Sequence, residues 1–299
     1  MKTLITGASG LVGSALVAQL RQSGHEVVRL VRRPSAEGDA FAWDPRNGTM
    51  DDRAFDGVEG VVHLAGAPIA AQRWTDQVKQ EILVSRVQGT RTLAEAVARL
   101  PQPPRVLISA SGVGFYGSCG DEVVNEERPA GSGFLAEVAQ QWEQATVPAS
   151  AAGIRVVTMR LGVILSPAGG ALPRMLLPFR FGAGGPVGSG NQFMSWITLD
   201  DVVSSVQAML EKDALVGPVN MVAPEPVTSR EFARTLGRVL HRPSLLPLPS
   251  FAIRLLMGEM GEELLLASTR AIPDKLLASG YAFHHPDLVQ ALGALLDRR

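Results

Sequence analysis

A chain of 299 residues, 46% of them hydrophobic, can bury a large core, and one or two domains are expected. Its 28 basic and 29 acidic residues leave a formal net charge of −1, with no basic run and no interleaving of basic with aromatic residues, so no nucleic-acid partner is expected. The single cysteine, Cys119, excludes an intrachain disulfide and fits a reducing compartment.

The first apolar run breaks at Gly7, too early for a signal-peptide core. No later run approaches the ~20 residues of a membrane helix, so a cytoplasmic protein with no membrane partner and no metal is expected. Lys2 to Ile5 read as a buried strand. The chain then turns through glycines into a helical pattern over 11–23. Strand, glycine turn and helix in that order form the opening unit of a dinucleotide-binding fold. Pyrophosphate approaches the backbone closely, so side chains at Gly7 and Gly10 would obstruct it. The helix would turn its unpaired N–H groups and positive dipole end to the phosphates, and Gly13 would let it pack tightly on the strand. The spacing is Gly-x-x-Gly-x-x-Gly, and Gly7, Ser9, Gly10, Leu11, Val12 and Gly13 are the expected cofactor contacts.

Glu26 to Val31 read as the second strand, ending at Arg32-Arg33-Pro34. An acidic residue there would bind a ribose 2′-hydroxyl; arginine suits a 2′-phosphate instead. Arg32, ahead of Arg33, therefore points to NADP(H). A short strand follows at 40–43, with a turn through Pro45 to Gly48. Gly60 to Gly66 read as a parallel strand whose small terminal residues, Ala65 and Gly66, leave room for a ligand; His63 reads as a core histidine. The helical pattern over 74–100 carries Glu81, Ser85 and Arg86, which face either the cofactor crevice together or solvent. Pro101, Pro103 and Pro104 stop it.

Arg105 to Ser109 form the next strand and run into Ala110-Ser111-Gly112-Val113-Gly114-Phe115-Tyr116-Gly117. Hydroxyls at this strand end, Ser109 and Ser111, sit where a nicotinamide and a substrate would meet. Ser111 is the candidate to bind a substrate oxygen. Tyr116 either packs or donates a proton. Residues 154–161 give another strand, and 217–222 the last. The Gly- and Pro-rich stretch 166–194 suits a pocket rim, with a helix over 172–181 whose Arg174 and Arg180 meet either an anion or solvent. Asp200 and Asp201 open a helix as dipole-complementing caps. Thr228-Ser229-Arg230-Glu231 resembles a capping box. The last segment packs on the main domain or on a second subunit of a homodimer.

These residues resemble the extended short-chain dehydrogenase/reductase superfamily of NAD(P)-dependent epimerase/dehydratase type. The resemblance rests on Thr6-Gly7-Ala8-Ser9-Gly10-Leu11-Val12-Gly13, His63-Leu64-Ala65-Gly66, Ser85-Arg86-Val87-Gln88-Gly89-Thr90, Ser109-Ala110-Ser111, Phe115-Tyr116-Gly117, Arg160-Leu161-Gly162 and Trp196 to Val202. Leu177-Pro178-Phe179-Arg180, Gly184 to Gly190, Asn220 to Pro224 and Pro247-Leu248-Pro249 are similar to an atypical, sugar-nucleotide-epimerase-like subgroup. The resemblance implies cofactor contacts at Arg32, Leu64, Ala65, Glu81 and Arg86. It implies a Rossmann-type doubly wound α/β sheet over 1–165 and 195–224, with a smaller mixed lobe from 166–194 and 225–299.

One departure stands out. The superfamily's Tyr-x-x-x-Lys falls on the helix Gly133 to Glu143, where Phe134 or Leu135 and Val138 or Ala139 hold the two positions. The lysine would lower the tyrosine pKa for proton exchange. Glu137, Tyr116 and Ser111 are the candidates to substitute. The expected function is that of an NADP(H)-binding, epimerase-like oxidoreductase acting on a small hydroxylated or nucleotide-sugar-like substrate. The alternative is a non-catalytic NADP(H) sensor.

Overall fold

The computed structural model describes residues 1–33 and 38–297. Pro34 of the second strand's expected end lies outside them, as do the last two residues of the C-terminal lobe. The strands in chain order are β1 (Lys2–Thr6), β2 (Glu26–Val31), β3 (Ala40–Asp44), β4 (Thr49–Met50), β5 (Gly60–His63), β6 (Val106–Gly112), β7 (Val123–Val124), β8 (Arg155–Leu161), β9 (Val163–Leu165), β10 (Phe193–Met194), β11 (Trp196–Thr198), β12 (Gly217–Met221), β13 (Val227–Thr228) and β14 (Arg270–Ala271). Eight of them form one sheet in the order β12-β8-β6-β5-β1-β2-β3-β4. Every pairing is parallel except β3 with β4. The strand order reverses between β1 and β5, and in a doubly wound sheet the ligand crevice opens at that point.

Near-continuous apolar runs are what a sheet covered on both faces requires. Successive side chains alternate between faces, so adjacent residues enter different cores. Ile5, Val62, Ile108 and Val157 join one core beneath the helices α1 (Leu11–Gln22) and α6 (Leu199–Glu211). Leu4, Val61, Leu107 and Val156 join the other beneath α2 (Asp76–Ala98), with Ala149 of the short α4 (Val147–Ala151). Between these last two in sequence lies α3 (Phe134–Gln144). A third core gathers Leu172, Leu176 and Phe179 of α5 (Leu172–Arg180), Phe232 and Leu236 of α7 (Ser229–Val239), the final helix Leu288–Leu296, and Trp196 of β11. The helix α8 (Ser250–Met257) lies between α7 and that final helix in sequence.

Local chemistry sets the element ends. Expected through Gly66, β5 stops at His63 because Thr6 takes the next two amides. Its Oγ1 accepts from Leu64 N–H at 3.2 Å and from Ala65 N–H at 3.3 Å. Thr75 caps α2 by accepting from Val78 N–H. The capping box of Thr228 and Glu231 is formed in full at the start of α7. Asp201 does more than complement a dipole. Fully buried, its carboxylate accepts from Thr198 Oγ1 at 2.8 Å, His284 N–H at 2.7 Å and His285 N–H at 3.1 Å, tying the C-terminal segment to α6.

Candidate functional site

The glycine turn fills the switch point with backbone. Gly7 has φ +68°, and a Cβ there would stand 2.7–2.9 Å from the backbone of Leu64 and Ala65. A Cβ on Gly13 would come within 2.2 Å of the Gly7 carbonyl oxygen, so only glycine lets α1 start this close to β1. Gly10 is the N-cap of α1, with no side-chain cap and no acidic residue in the first turn. The first amides of α1, past exposed Ser9 and Gly10, are left to an outside acceptor. Val12 packs into the core, while Leu11 meets the loop after β9, where a Cβ on Gly170 would lie 3.1 Å from its side chain. Leu64 and Ala65 are half-buried on the opposite wall, and Gly66 is exposed. Arg32 and Arg33 stand exposed at the end of β2.

The trio on α2 divides. Ser85 Oγ accepts from Ala67 N–H at 3.0 Å, and a Cβ on Gly66 would lie 3.4 Å from the Arg86 side chain, so these two face the segment after β5. The Arg86 guanidinium lies 4.9 Å from the Trp142 ring and donates to the Ile82 carbonyl at 3.1 Å. Among the described residues it has no acidic partner, and burial lowers its pKa to about 10. Glu81 turns away to exposed Arg46, 3.4 Å distant. Five residues advance a helix by about 140° past a full turn, so of the two readings left open Glu81 takes the solvent one, while Ser85 and Arg86 face the segment after β5. Ser109 is fully buried, with its hydroxyl 3.4 Å from the Ala110 carbonyl.

The end of β6 is built from side chains. Ser111 Oγ donates to Glu143 Oε1 at 2.8 Å. The same carboxylate accepts from Arg160 Nε at 2.8 Å and Nη2 at 2.9 Å. Arg160 Nη1 reaches the Tyr116 hydroxyl at 3.0 Å, and that hydroxyl donates to Asn220 Oδ1 at 2.7 Å. Asn220 N–H in turn donates to Glu126 Oε1 at 3.0 Å. Arg160, 3% exposed, also lies 3.5 Å from the centre of the Phe115 ring. Burial works against its charge, but Glu143 outweighs that and holds the Arg160 pKa above its ordinary value. Burial raises the Tyr116 pKa, with Arg160 opposing.

Both hydroxyl candidates are therefore committed inward. Ser111 spends its proton on Glu143, which corrects the expectation that it turns to a substrate oxygen, and Tyr116 donates to Asn220, the packed alternative of its two readings. Glu137 is exposed and bonded to Gln141 Nε2. At the head of α3, Glu263 of the C-terminal lobe accepts from Phe134 N–H at 2.6 Å and Leu135 N–H at 2.8 Å. Sequence reasoning assigned no role to Glu143 or Glu263 and none beyond motif membership to Arg160 and Asn220. The available signal was Arg160 itself: a guanidinium inside the apolar run of β8 requires a buried acceptor.

His63 reads as expected, buried with Nδ1 2.7 Å from Thr6 Oγ1. Its Nε2 has no partner among the described residues, and burial lowers its pKa to about 4. Arg174 donates to the Ala70 carbonyl at 2.9 Å, bridging α5 to the loop after β5. Among the described residues no three metal-ligating side chains converge, and no helix is long and apolar enough to cross a membrane.

Residues 3–222 match the NAD dependent epimerase/dehydratase family, and residues 248–295 match DUF1731, a domain of unknown function. The chain is 47% identical over 294 residues to the epimerase family protein Mb2239 of Mycobacterium bovis, covering 98% of this chain and 97% of that one. The human epimerase family protein SDR39U1, crystallised with NADPH, superposes with a TM-score of 0.91 at 34% identity over 100% of both chains. A nucleoside-diphosphate sugar epimerase from Corynebacterium glutamicum gives a TM-score of 0.83 at 39% identity, covering 99% of this chain and 58% of that one.

Proposed function

The chain belongs to the NAD dependent epimerase/dehydratase family, and on that premise we propose that it binds NADP(H) at the glycine turn and acts as an epimerase-like oxidoreductase on a small hydroxylated or nucleotide-sugar-like substrate. The observation that carries the cofactor reading is the fit of the turn. Gly7 and Gly13 admit no Cβ, the first amides of α1 face outward, and Arg86 offers a desolvated cation with no acid beside it among the described residues. The NADPH carried by the human relative supports the same reading. The residues would divide the work. The turn amides hold the diphosphate, and Arg32 with Arg33 takes the 2′-phosphate. Arg86 supplies positive charge beside Gly66. Bound, a nicotinamide supplies hydride exchange with a carbon of the substrate. The lone cysteine and the absence of a membrane-length helix among the described residues support a cytoplasmic setting.

We take the proton-transfer group to differ from the family's Tyr-x-x-x-Lys, since Phe134 or Leu135 and Val138 or Ala139 stand at that spacing on α3. The engagement of Ser111 and Tyr116 in the Arg160 network supports a second reading, a cofactor sensor without turnover. Two experiments test the proposal, the first its cofactor and the second turnover against sensing. Arg32→Asp should weaken NADPH by about tenfold or more and NADH far less; equal losses refute the 2′-phosphate assignment. NADPH-loaded protein offered a panel of ketones, sugars and nucleotide sugars should yield a reduced or epimerised product by mass spectrometry. Tight binding with no product, and hydrogen exchange that differs between NADPH and NADP, favours the sensor.

A further inference from the structure

The helix α3 does not cap itself. Gly133 is its N-cap, at φ +108° and with no side chain, so the first amides of the helix take their acceptor from elsewhere. Glu263, 128 residues beyond Leu135, supplies it with both carboxylate oxygens. Oε1 accepts from Phe134 N–H at 2.6 Å and Oε2 from Leu135 N–H at 2.8 Å. A Cβ on Gly133 would crowd Oε1 at 2.9 Å, so glycine is what admits the carboxylate. Glu263 belongs to the single π turn Glu262–Leu266, a rare winding that recurs at functional sites. The residues around this contact cover the head of α3. Met257 of α8, Met260 and Leu264 pack with Trp74, Phe134 and Leu135. Lys79 of α2 donates to Glu259 at 2.8 and 3.0 Å and lies 4.6 Å from the centre of the Phe134 ring. Leu135 also reaches the loop after β6, where a Cβ on Gly114 would lie 3.0 Å from its own Cβ.

We propose that Glu263 is a positioning residue for the reactive end of the crevice. It caps α3 from the C-terminal segment, fixes Phe134 and Leu135 where the superfamily's tyrosine would fall, and holds that segment closed over the nicotinamide. The role rests on NADP(H) binding at the glycine turn. A serine or threonine at the N-cap would order α3 alone. A remote carboxylate instead makes the start of the helix and the seating of residues 257–264 one event, because neither side forms its charge-assisted bonds without the other. The chemistry calls for a carboxylate. Both amides are donors, and an amide side chain would turn its own NH2 toward one of them.

The test is hydrogen exchange of the full-length protein, read by mass spectrometry at the start of α3, beside titration with NADPH followed by nicotinamide fluorescence. In wild type the start of α3 should be protected, and bound NADPH should emit more strongly than free NADPH, as a nicotinamide shielded from water does. Glu263→Ala should speed exchange over residues 134–138 by about tenfold or more. It should move NADPH affinity by less than about twofold, since the diphosphate is gripped elsewhere, and lose the added emission. Glu263→Gln keeps the size and one acceptor, so it should fall between the two in both readouts, and it serves where the alanine variant does not fold. Exchange at the wild-type rate in both variants overturns the proposal. Faster exchange with full emission reduces Glu263 to a cap of the helix alone and overturns the positioning role. Wild type that binds NADPH without added emission overturns closure over the nicotinamide. Wild type that binds no NADPH is a separate failure, that of the cofactor assignment, and takes the proposal with it.

Discussion

The two ends of the crevice are made of different material. At the glycine turn the parts are backbone: amides of α1, carbonyls that leave no room for a Cβ, and little side chain at all. At the end of β6 they are side chains, linked from Ser111 through Glu143, Arg160 and Tyr116 to Asn220. The first end is open and under-satisfied, which suits a site awaiting a ligand. The second is bonded internally except at the buried Glu126 Oε2, which has no partner among the described residues, and that suits a scaffold. The comparison teaches that a hydroxyl in the right place on a strand is no guide to catalysis until its hydrogen-bond partners are known.

The sharpest way to break that contrast is to remove Glu143. Glu143→Ala would leave the Arg160 charge buried without its carboxylate, a change expected to destabilise the fold by about 3–5 kcal/mol in urea unfolding. Ser111→Ala should cost only about 1 kcal/mol, since it removes one neutral donor from a carboxylate that keeps Arg160. Neither should move NADPH affinity of the folded protein by more than about twofold. If Glu143→Ala weakens the cofactor as much as a change in the glycine turn does, the two ends are not separable and the scaffold reading fails.

A pH titration probes the boundary between them, where His63 on β5 touches Thr6 on β1. The unfolded imidazole takes a proton near pH 6.5, whereas burial keeps the folded one neutral down to about 4. The unfolded state therefore binds the extra proton between those values, and stability must fall as pH drops through that window. The loss should approach about 3 kcal/mol and level off below pH 4. His63→Gln keeps a polar group for Thr6 and removes the titration, so its stability should change far less over the same range. A variant that follows the wild-type curve would assign the slope to other groups.

Gly13→Ala acts on the backbone end. Its methyl would meet the Gly7 carbonyl oxygen at 2.2 Å, so α1 must shift away from the turn. We expect a destabilisation of about 1–3 kcal/mol, in the range of overpacking changes, and loss of NADPH binding by about tenfold or more. Calorimetric titration beside thermal unfolding reads both. Retained affinity would mean that the amides of α1 do not hold the diphosphate.

These contrasts follow how far apart the parts lie in the chain. The glycine turn is legible because strand, turn and helix are contiguous and each glycine answers a local demand. The side-chain network is not, because its members are 17, 32, 44 and 104 residues apart and no local pattern pairs them. Asp201 shows both cases at once. Its bond from Thr198 is a helix start visible in sequence, whereas its bonds from His284 and His285 cross more than eighty residues. The two readings left open on α2 divide for a simpler reason: Glu81 and Arg86 are five residues apart, and helical pitch separates them.

Arg86 gives a small effect on stability and the most telling sign. Its guanidinium is desolvated over Trp142 and, among the described residues, has no acid beside it, so the ligand-free fold carries an uncompensated charge. Arg86→Met keeps most of the volume and the apolar contact with the ring while removing that charge. Where a charge serves only the fold, its loss destabilises. Where it waits for a ligand, its loss relieves the empty protein and harms the complex. We expect the ligand-free melting temperature to rise by a few degrees, about 2 °C per kcal/mol for a chain of this size, while NADPH binding weakens by about tenfold. Opposite signs in the two measurements would place Arg86 at the open end of the crevice, and a fall in both would move it to the scaffold.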